Sequence, residues 1–349
     1  MTKDHHESKT EQHELYEHYH IDVDAGQGAV RIDKFLTDRI MNASRNKVQD
    51  AVKEGNVFVN DKPVKVNYKI KPGDKISVKF PNPKREVEVL AEDIELDIVY
   101  EDKDLIVINK IAGMVVHPAY GNFSGTLLNA MKHHLSQHSP EAEPLMVHRI
   151  DKNTSGLLLM AKQESAQTNL AKQFYDHTSS RRYVALVWGD MANDTGTIEG
   201  NLARSPANRK VMTVIADPQK GKHAITHYKV LERFGYVTSV ECRLETGRTH
   251  QIRAHMRHIG HPLFNDDMYG GDRIRKGTTF SKYKQFIDNA FKICPRQALH
   301  AKTLGFYHPT NGQWMEFDTQ LPDDMKQVID KWRKYAEASI SSKQNPQIF

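Results

Sequence analysis

Residues 156–161, Gly-Leu-Leu-Leu-Met-Ala, form an unbroken apolar run within a chain of 349 residues. Bounded by Asn153-Thr-Ser155 and Lys162, the run reads as a buried strand, so the rest of the chain must supply the layers that bury it. Just before it, His148, Arg149, Asp151 and Lys152 place four charged or titratable groups in five positions. Charge of that density beside a buried strand has two readings. It is a salt-bridged surface loop, or it is the rim of a cleft that holds Asp151 as a reactive carboxylate.

Composition narrows the class. Hydrophobic residues at 38% and charged residues at 27% suit a soluble globular protein of two domains, or one domain with an appended module. No stretch has the length and apolarity of a membrane span, and the polar N-terminal residues lack a signal-peptide core. Cys242 and Cys294 both lie beside hydrophobic or strand-like sequence and read as reduced, buried thiols. The expected location is cytoplasmic.

Charge is unevenly spread. Between Arg31 and Lys79 there are twelve Lys or Arg against six Asp or Glu, an excess of six, whereas the whole chain carries +5. A module this cationic is suited to a polyanion, because neutralised phosphates release counterions. Within it, Ile32, Phe35, Leu36 and Ile40 have helical spacing. Ser44 is a plausible cap for a second helix carrying Val48, Ala51 and Val52, which Gly55 ends. Strand, turn and strand follow over residues 56–66, then a last alternating strand to Phe80.

Arg31-Ile-Asp-Lys-Phe-Leu36, Ser44-Arg45, Gly55-Asn-Val-Phe-Val-Asn60 and Gly73-Asp74 together resemble an S4 RNA-binding domain. The resemblance makes Arg31, Lys34, Arg45 and Lys47 the expected RNA contacts. Arg45 and Lys47 stand in the first turn of a helix, where its dipole also favours phosphate.

Downstream, short strands, helices and turns alternate without a regular βαβ pattern, which predicts an α+β domain on a mixed or antiparallel sheet. The expected division is a disordered tail over 1–20, the RNA-binding module over 21–85 and a linker over 86–94. A catalytic domain over 95–330 and a C-terminal tail over 331–349, loose from Ala338 onward, follow. Phosphate-loop, dinucleotide and Cys-x-x-Cys motifs are missing. His250, His255, His258 and His261 are the metal candidates, but their spacings of five, three and three do not fit the zinc-protease pattern, which leaves a metal hydrolase without support. The same segment reads better as an anion-holding helix: Gly247 for a tight turn, Thr249 as N-cap, and Ile252, Met256 and Ile259 as its core stripe. Arg248 sits at its mouth.

The ordered series His148-Arg-Ile-Asp-Lys-Asn-Thr-Ser-Gly156, Arg182-Tyr-Val-Ala-Leu-Val-Trp-Gly189, Ala224-Ile-Thr-His-Tyr228, Thr246-Gly-Arg-Thr-His-Gln-Ile-Arg253, Gly260-His-Pro262 and Arg296-Gln-Ala-Leu-His-Ala301 resembles the RluA-type pseudouridine synthases. With the module in front, it resembles the RluD-like branch. The resemblance implies isomerisation of uridine to pseudouridine in large-subunit ribosomal RNA or its assembly precursor, without a cofactor, by a monomer. Uracil is detached at N1 and rejoined through C5. Asp151 matches the catalytic aspartate, and Arg248 the arginine that pairs with it, since a guanidinium favours the carboxylate anion in a dry site. Arg149 matches the residue that fills the place of the flipped base, and Tyr183 the aromatic that stacks on it. Taken alone, Tyr183 in an apolar strand reads as core. His148 reads as structural, Leu304 as a candidate pocket wall, and Lys152 as the one surface salt bridge of the loop. The competing readings are a non-catalytic RNA-binding assembly factor and a synthase acting on transfer RNA.

Overall fold

The computed structural model describes residues 15–24, 26–40, 43, 45–81, 89–119, 121–217 and 219–344. The chain divides into two compact units, Met1–Glu88 and Val89–Phe349.

The first unit runs β1 (Tyr16–Asp22), α1 (Ile32–Arg39), α2 (Arg45–Lys53), β2 (Val57–Val59), β3 (Lys62–Pro63) and β4 (Lys75–Phe80). Its strands form one sheet in the order β1-β4-β2-β3. Ile32, Phe35 and Leu36 from α1 and Val48 and Val52 from α2 bury against Val57, Val59, Ile76 and Val78 of the sheet, as their spacing predicts. Asn60 and Asp61 both have positive φ, 48° and 61°, the conformation of the tight turn expected between β2 and β3. Ser44 lies outside the described residues, as do residues 86–88 of the expected linker. One expectation is corrected. Tyr16–His20, assigned to the disordered tail, belongs to a strand, Tyr16–Asp22, pairing antiparallel with β4, from Tyr16 opposite Phe80 to Asp22 opposite Lys75; residues 1–14 of that tail lie outside the described residues. Tyr19 and Ile21 alternate with His20 and Asp22 as in a strand, a pattern that the histidine-rich composition and the bulge between Glu17 and Tyr19 hid.

The second unit contains β5 (Ile98–Glu101), β6 (Leu105–Lys110), α3 (Leu127–His138), β7 (Leu145–Met146), β8 (Ser155–Ala161), α4 (Glu164–Tyr175), β9 (Ser180–Trp188), β10 (Thr195–Arg204) and β11 (Met212–Ile215). It continues with β12 (Lys222–Arg233), β13 (Val237–Leu244), α5 (Gln251–His258), α6 (Ser281–Ile293), β14 (Leu299–Tyr307), β15 (Trp314–Asp318) and α7 (Asp323–Gln344). One mixed sheet of eleven strands runs β11-β10-β12-β13-β9-β14-β8-β6-β5, with β15 on β14 and β7 on β8. Only β14 and β8 are parallel among the described pairs. This is the α+β architecture expected from the irregular alternation of elements.

The apolar run of β8 is buried along its whole length, between β6 and β14. Leu158 and Met160 pack into one core with α3 and α5, and Leu157, Leu159 and Ala161 into another with Ala166 and Leu170 of α4. Gly156, opposite Ala301 of β14, has φ +111°, and a Cβ there would lie 2.2 Å from the Ala301 carbonyl oxygen. Only glycine lets the two backbones meet at the start of the strand.

The C-terminal tail expected from residue 331 is also corrected, its residues 345–349 lying outside the described ones. Helix α7 continues to Gln344, and Trp332 is fully buried against Trp188, Phe264 and Phe286. The aromatic anchor outweighs the polar composition of the end. Leu304 is another correction: it packs with Leu105, Leu157 and Phe306, while Leu299, earlier on β14, reaches the cleft described below.

Candidate active site

A cleft of about 660 Å³ opens where the loop before β8, the end of α4, the start of β9 and the loop leading into α5 converge. It is of the size that holds a small-molecule or nucleotide moiety. Arg149, Asp151, Tyr183 and Arg248 all line it, so residues from three separate motifs meet in one cleft.

The Asp151 loop is fixed from behind by cations whose charge is spent on backbone carbonyls. Lys110, 1% exposed at the end of β6, donates to the carbonyls of Ile111, Met114 and Lys152 at 2.7, 2.9 and 3.1 Å. Burial, with Arg296 adding, lowers its pKa to about 7, against the opposing charge of Asp151. Arg296 donates to the Asn153 carbonyl at 3.0 Å and is itself held by Asp324 at 2.7 and 3.0 Å. The Thr154 N–H closes the turn on the Asp151 carbonyl. Asp151 is thereby presented with its side chain 22% exposed at the cleft floor.

Its charge partner differs from the one the motif resemblance assigned. Arg253 Nη1 lies 3.2 Å from Asp151 Oδ2, whereas Arg248 turns away and donates from Nε to the His223 carbonyl at 3.0 Å. Helix geometry explains the exchange. The N-cap of α5 is His250, at φ 53°, rather than Thr249, so Arg248 precedes the helix and Arg253 projects from its first turn. Gly247, assigned to a tight turn, has another reason: a Cβ there would meet Arg181 Nη1 at 2.5 Å.

Arg253 is itself oriented by a buried fork. Its Nε and Nη2 meet the two oxygens of Asp266 at 2.7 and 2.8 Å, and Asp266 is fully buried. The guanidinium also lies 4.9 Å from the Tyr269 ring centroid. Burial opposes the Arg253 charge, but the hydrogen bonds and charge of Asp266, with Asp151 adding, more than offset it and raise its pKa. Asp266 and Tyr269 were missed in the sequence. The available signal was an acidic pair, Asp266-Asp267, set one residue after the apolar Leu263-Phe264.

His250 approaches the other Asp151 oxygen at 3.8 Å, and its Nδ1 is 3.0 Å from the Tyr269 hydroxyl. Burial lowers its pKa; Asp151 opposes this and Arg253 reinforces it. Tyr183 stands on β9 between Cys242 and Ala301, only 8% exposed, joining the core through one face and lining the cleft with another. Burial raises its pKa, with Arg181 opposing and Asp151 adding. The core and site readings of this tyrosine therefore both hold. Arg149 is exposed at the cleft edge.

His148 has a structural place. Its Nε2 accepts the Leu159 N–H at 3.0 Å, and its ring stacks on Phe174 at 4.6 Å. Burial, helped by Arg181, lowers its pKa to about 3. Lys152 makes no ion pair among the described residues; its Nζ contacts Asn122 Oδ1 at 3.3 Å, which removes the salt bridge expected there. The metal-candidate histidines diverge: His255 bonds Thr226 and His261 the Trp188 carbonyl, away from the His250 contacts. Asp102, Asp104 and His308 could approach a metal with ligand atoms within 4.8 Å, but His308 Nδ1 accepts the Thr310 and Asn311 N–H groups. Its Nε2 therefore carries a proton, which it donates to Asp102 at 2.9 Å.

In the first unit, fully buried Asp33 gathers two of the cations expected to meet RNA. Arg31 reaches it at 3.0 and 3.1 Å and Arg45 at 3.0 Å, joined by Gln49 at 2.7 Å. Burial raises the Asp33 pKa, but the bonds from Gln49, Arg31 and Arg45 overcome it and leave it lowered. The arginines keep roughly half their side-chain surface, 44% and 54%. Lys34 and Lys47 are exposed on α1 and α2.

The RNA pseudouridylate synthase family model matches residues 104–258, and the S4 domain model residues 30–76. An uncharacterized RNA pseudouridine synthase of Chlorobaculum parvum is 47% identical, covering 92% of this chain and 99% of that protein. The ribosomal large subunit pseudouridine synthase D of Zymomonas mobilis is 43% identical over 85% of this chain and 92% of its own length. The structure of human RNA pseudouridylate synthase domain containing 4 shares the fold, with TM-score 0.53 at 21% identity over 68% of this chain and 92% of that one. The chain, with its S4 domain, belongs to the RNA pseudouridine synthase family of isomerases.

Proposed function

We propose that this protein converts uridines of large-subunit ribosomal RNA to pseudouridine, with Asp151 as its catalytic carboxylate. The observation that carries the reading is Asp151 held by the Asp266-oriented Arg253 on the floor of a cleft that also takes Tyr183. The reaction must break the N1 glycosidic bond and form one at C5 while the detached uracil stays in place, which needs an anionic group fixed in position and a site closed to bulk water. Arg253 serves the first need. Tyr183 offers a face for the uracil, and Arg149 stands where a cation would occupy the place of the flipped nucleotide. Arg248 contributes charge to the opposite wall rather than to the carboxylate.

The substrate assignment is supported by relatives named for the ribosomal large subunit and by the cationic first unit. In that unit Arg31, Lys34, Arg45 and Lys47 hold the RNA backbone, the two arginines pre-oriented by Asp33. The division into an RNA-binding domain and a catalytic domain, cytoplasmic action and a monomeric state complete the proposal. Among the described residues no helix is long and apolar enough to cross a membrane. The test is site-resolved mapping of pseudouridine in ribosomal RNA from cells with and without the protein. Loss of large-subunit sites, restored by the wild-type chain, supports the reading. Unchanged ribosomal RNA with loss of transfer-RNA sites replaces the substrate.

A further inference from the structure

We propose that the cleft wall beside Tyr183 is a phosphate subsite for the substrate RNA, with Arg181 as its buried anchor. The proposal rests on the RNA-substrate reading above.

Arg181 lines the cleft yet is only 6% exposed. The other two buried arginines of the unit each fork onto a carboxylate, Arg253 onto Asp266 and Arg296 onto Asp324. Arg181 makes no ion pair among the described residues. It donates from Nη2 to the Glu245 carbonyl at 3.1 Å, lies 5.1 Å from the Phe174 ring centroid, and leaves its Nε buried without a partner. A buried guanidinium without a counter-anion is costly, and an orphaned buried donor adds to that cost. Burial lowers its pKa; Tyr183 opposes this, and Arg248 in the same cleft adds to it.

The fold holds this arrangement in place. Gly247 leaves the space that Arg181 Nη1 fills, since a Cβ there would lie 2.5 Å from that nitrogen. Arg248 lines the cleft with it, so a singly charged phosphodiester there would meet two guanidinium groups and supply the counter-anion that Arg181 lacks. A uridine entering the cleft toward Asp151 brings such phosphates on either side of its ribose.

The full-length protein and its Arg181→Met variant should be compared for binding to a uridine-containing RNA oligomer over a range of salt, and for kcat and KM of pseudouridine formation. The expected result is a KM raised about tenfold with kcat changed less. The slope of log affinity against log salt should become shallower by about 0.7 to 0.9, the value of one phosphate contact. Thermal stability should stay level or rise, because an uncompensated charge has been removed. An unchanged salt slope, or a lowered melting point with unchanged KM, overturns the proposal and makes Arg181 a structural residue. Should Arg181→Met fail to fold, Gly247→Ala, which displaces the guanidinium tip without removing charge, must give the same loss of affinity. If the wild-type protein forms no pseudouridine, the parent reading fails, while the difference in salt slope still decides the phosphate contact.

Discussion

Replacing Arg253 separates the two arginines that the motif offers as partners of Asp151. In the structure Arg253 makes two hydrogen bonds to fully buried Asp266 and one to Asp151, while the Arg248 side chain donates to the His223 backbone carbonyl. Arg253→Met strands the Asp266 carboxylate in the core with the Tyr269 N–H, 3.2 Å away, as its remaining hydrogen-bond partner. Breaking a buried pair from one side costs about 3–5 kcal/mol. For a unit of this size that is a melting-point loss on the order of 10 °C. Arg253→Lys keeps charge but not the fork, so it should lose roughly half as much. Arg248→Met should cost under about 1 kcal/mol. A second substitution, Asp266→Leu in the Arg253→Met background, removes the stranded charge and should recover most of the stability. Activity should not return with it, because Asp151 still lacks its guanidinium. The assay is calorimetry alongside single-turnover pseudouridine formation. Full activity in the stability-restored double variant, or loss of the carboxylate's function on replacing Arg248 alone, would refute the reasoning.

Acid should destabilise the catalytic unit early, since burial lowers the pKa of His148 to about 3 and of His255 and His300 to about 4, from 6.5. Above pH 6.5 these rings are neutral folded or unfolded and their contribution is complete. Below it the unfolded chain binds protons first, so stability falls toward pH 4 with a slope approaching about 4 kcal/mol per unit for three groups. Denaturant titrations at several pH values check this, and His255→Gln should remove about a third of the slope. Gly156→Ala forces a Cβ onto the Ala301 carbonyl at a φ of +111°, and should lower the melting point sharply or prevent soluble expression. Deleting the first unit should weaken RNA binding at least tenfold and flatten its salt dependence, with Asp151 chemistry retained at high RNA concentration. Equal affinity of the two forms would remove the RNA-binding role of that unit.

What could be read before the structure follows a physical division. Periodicity located α1, α2, β8 and β9, because burial of one face or both leaves its period in the chain. The cleft residues Asp151, Tyr183 and Arg248 were legible through motif order, and their convergence is a fact of the fold. The choice between Arg248 and Arg253 was not legible. It depends on where α5 begins, and a left-handed His250 at its cap moves that start past Thr249. Asp266, Lys110 and Arg296 escaped for a related reason: each acts through tertiary contacts to residues distant in sequence, where neither spacing nor composition points. Strand β1 and the end of α7 were misjudged because polar composition was allowed to outweigh an alternating pattern in one and Trp332 in the other.

The central claim is that the Asp151 carboxylate, placed by Arg253, carries the isomerisation. Its most direct test is Asp151→Asn, which keeps the shape of the side chain and removes its charge. Pseudouridine formed by that variant should be measured in a single turnover, with RNA affinity and melting point recorded on the same preparation. The account predicts no detectable product, RNA affinity within a few-fold of the wild type, and a folded protein. Product formed at a rate near that of the wild type would contradict it.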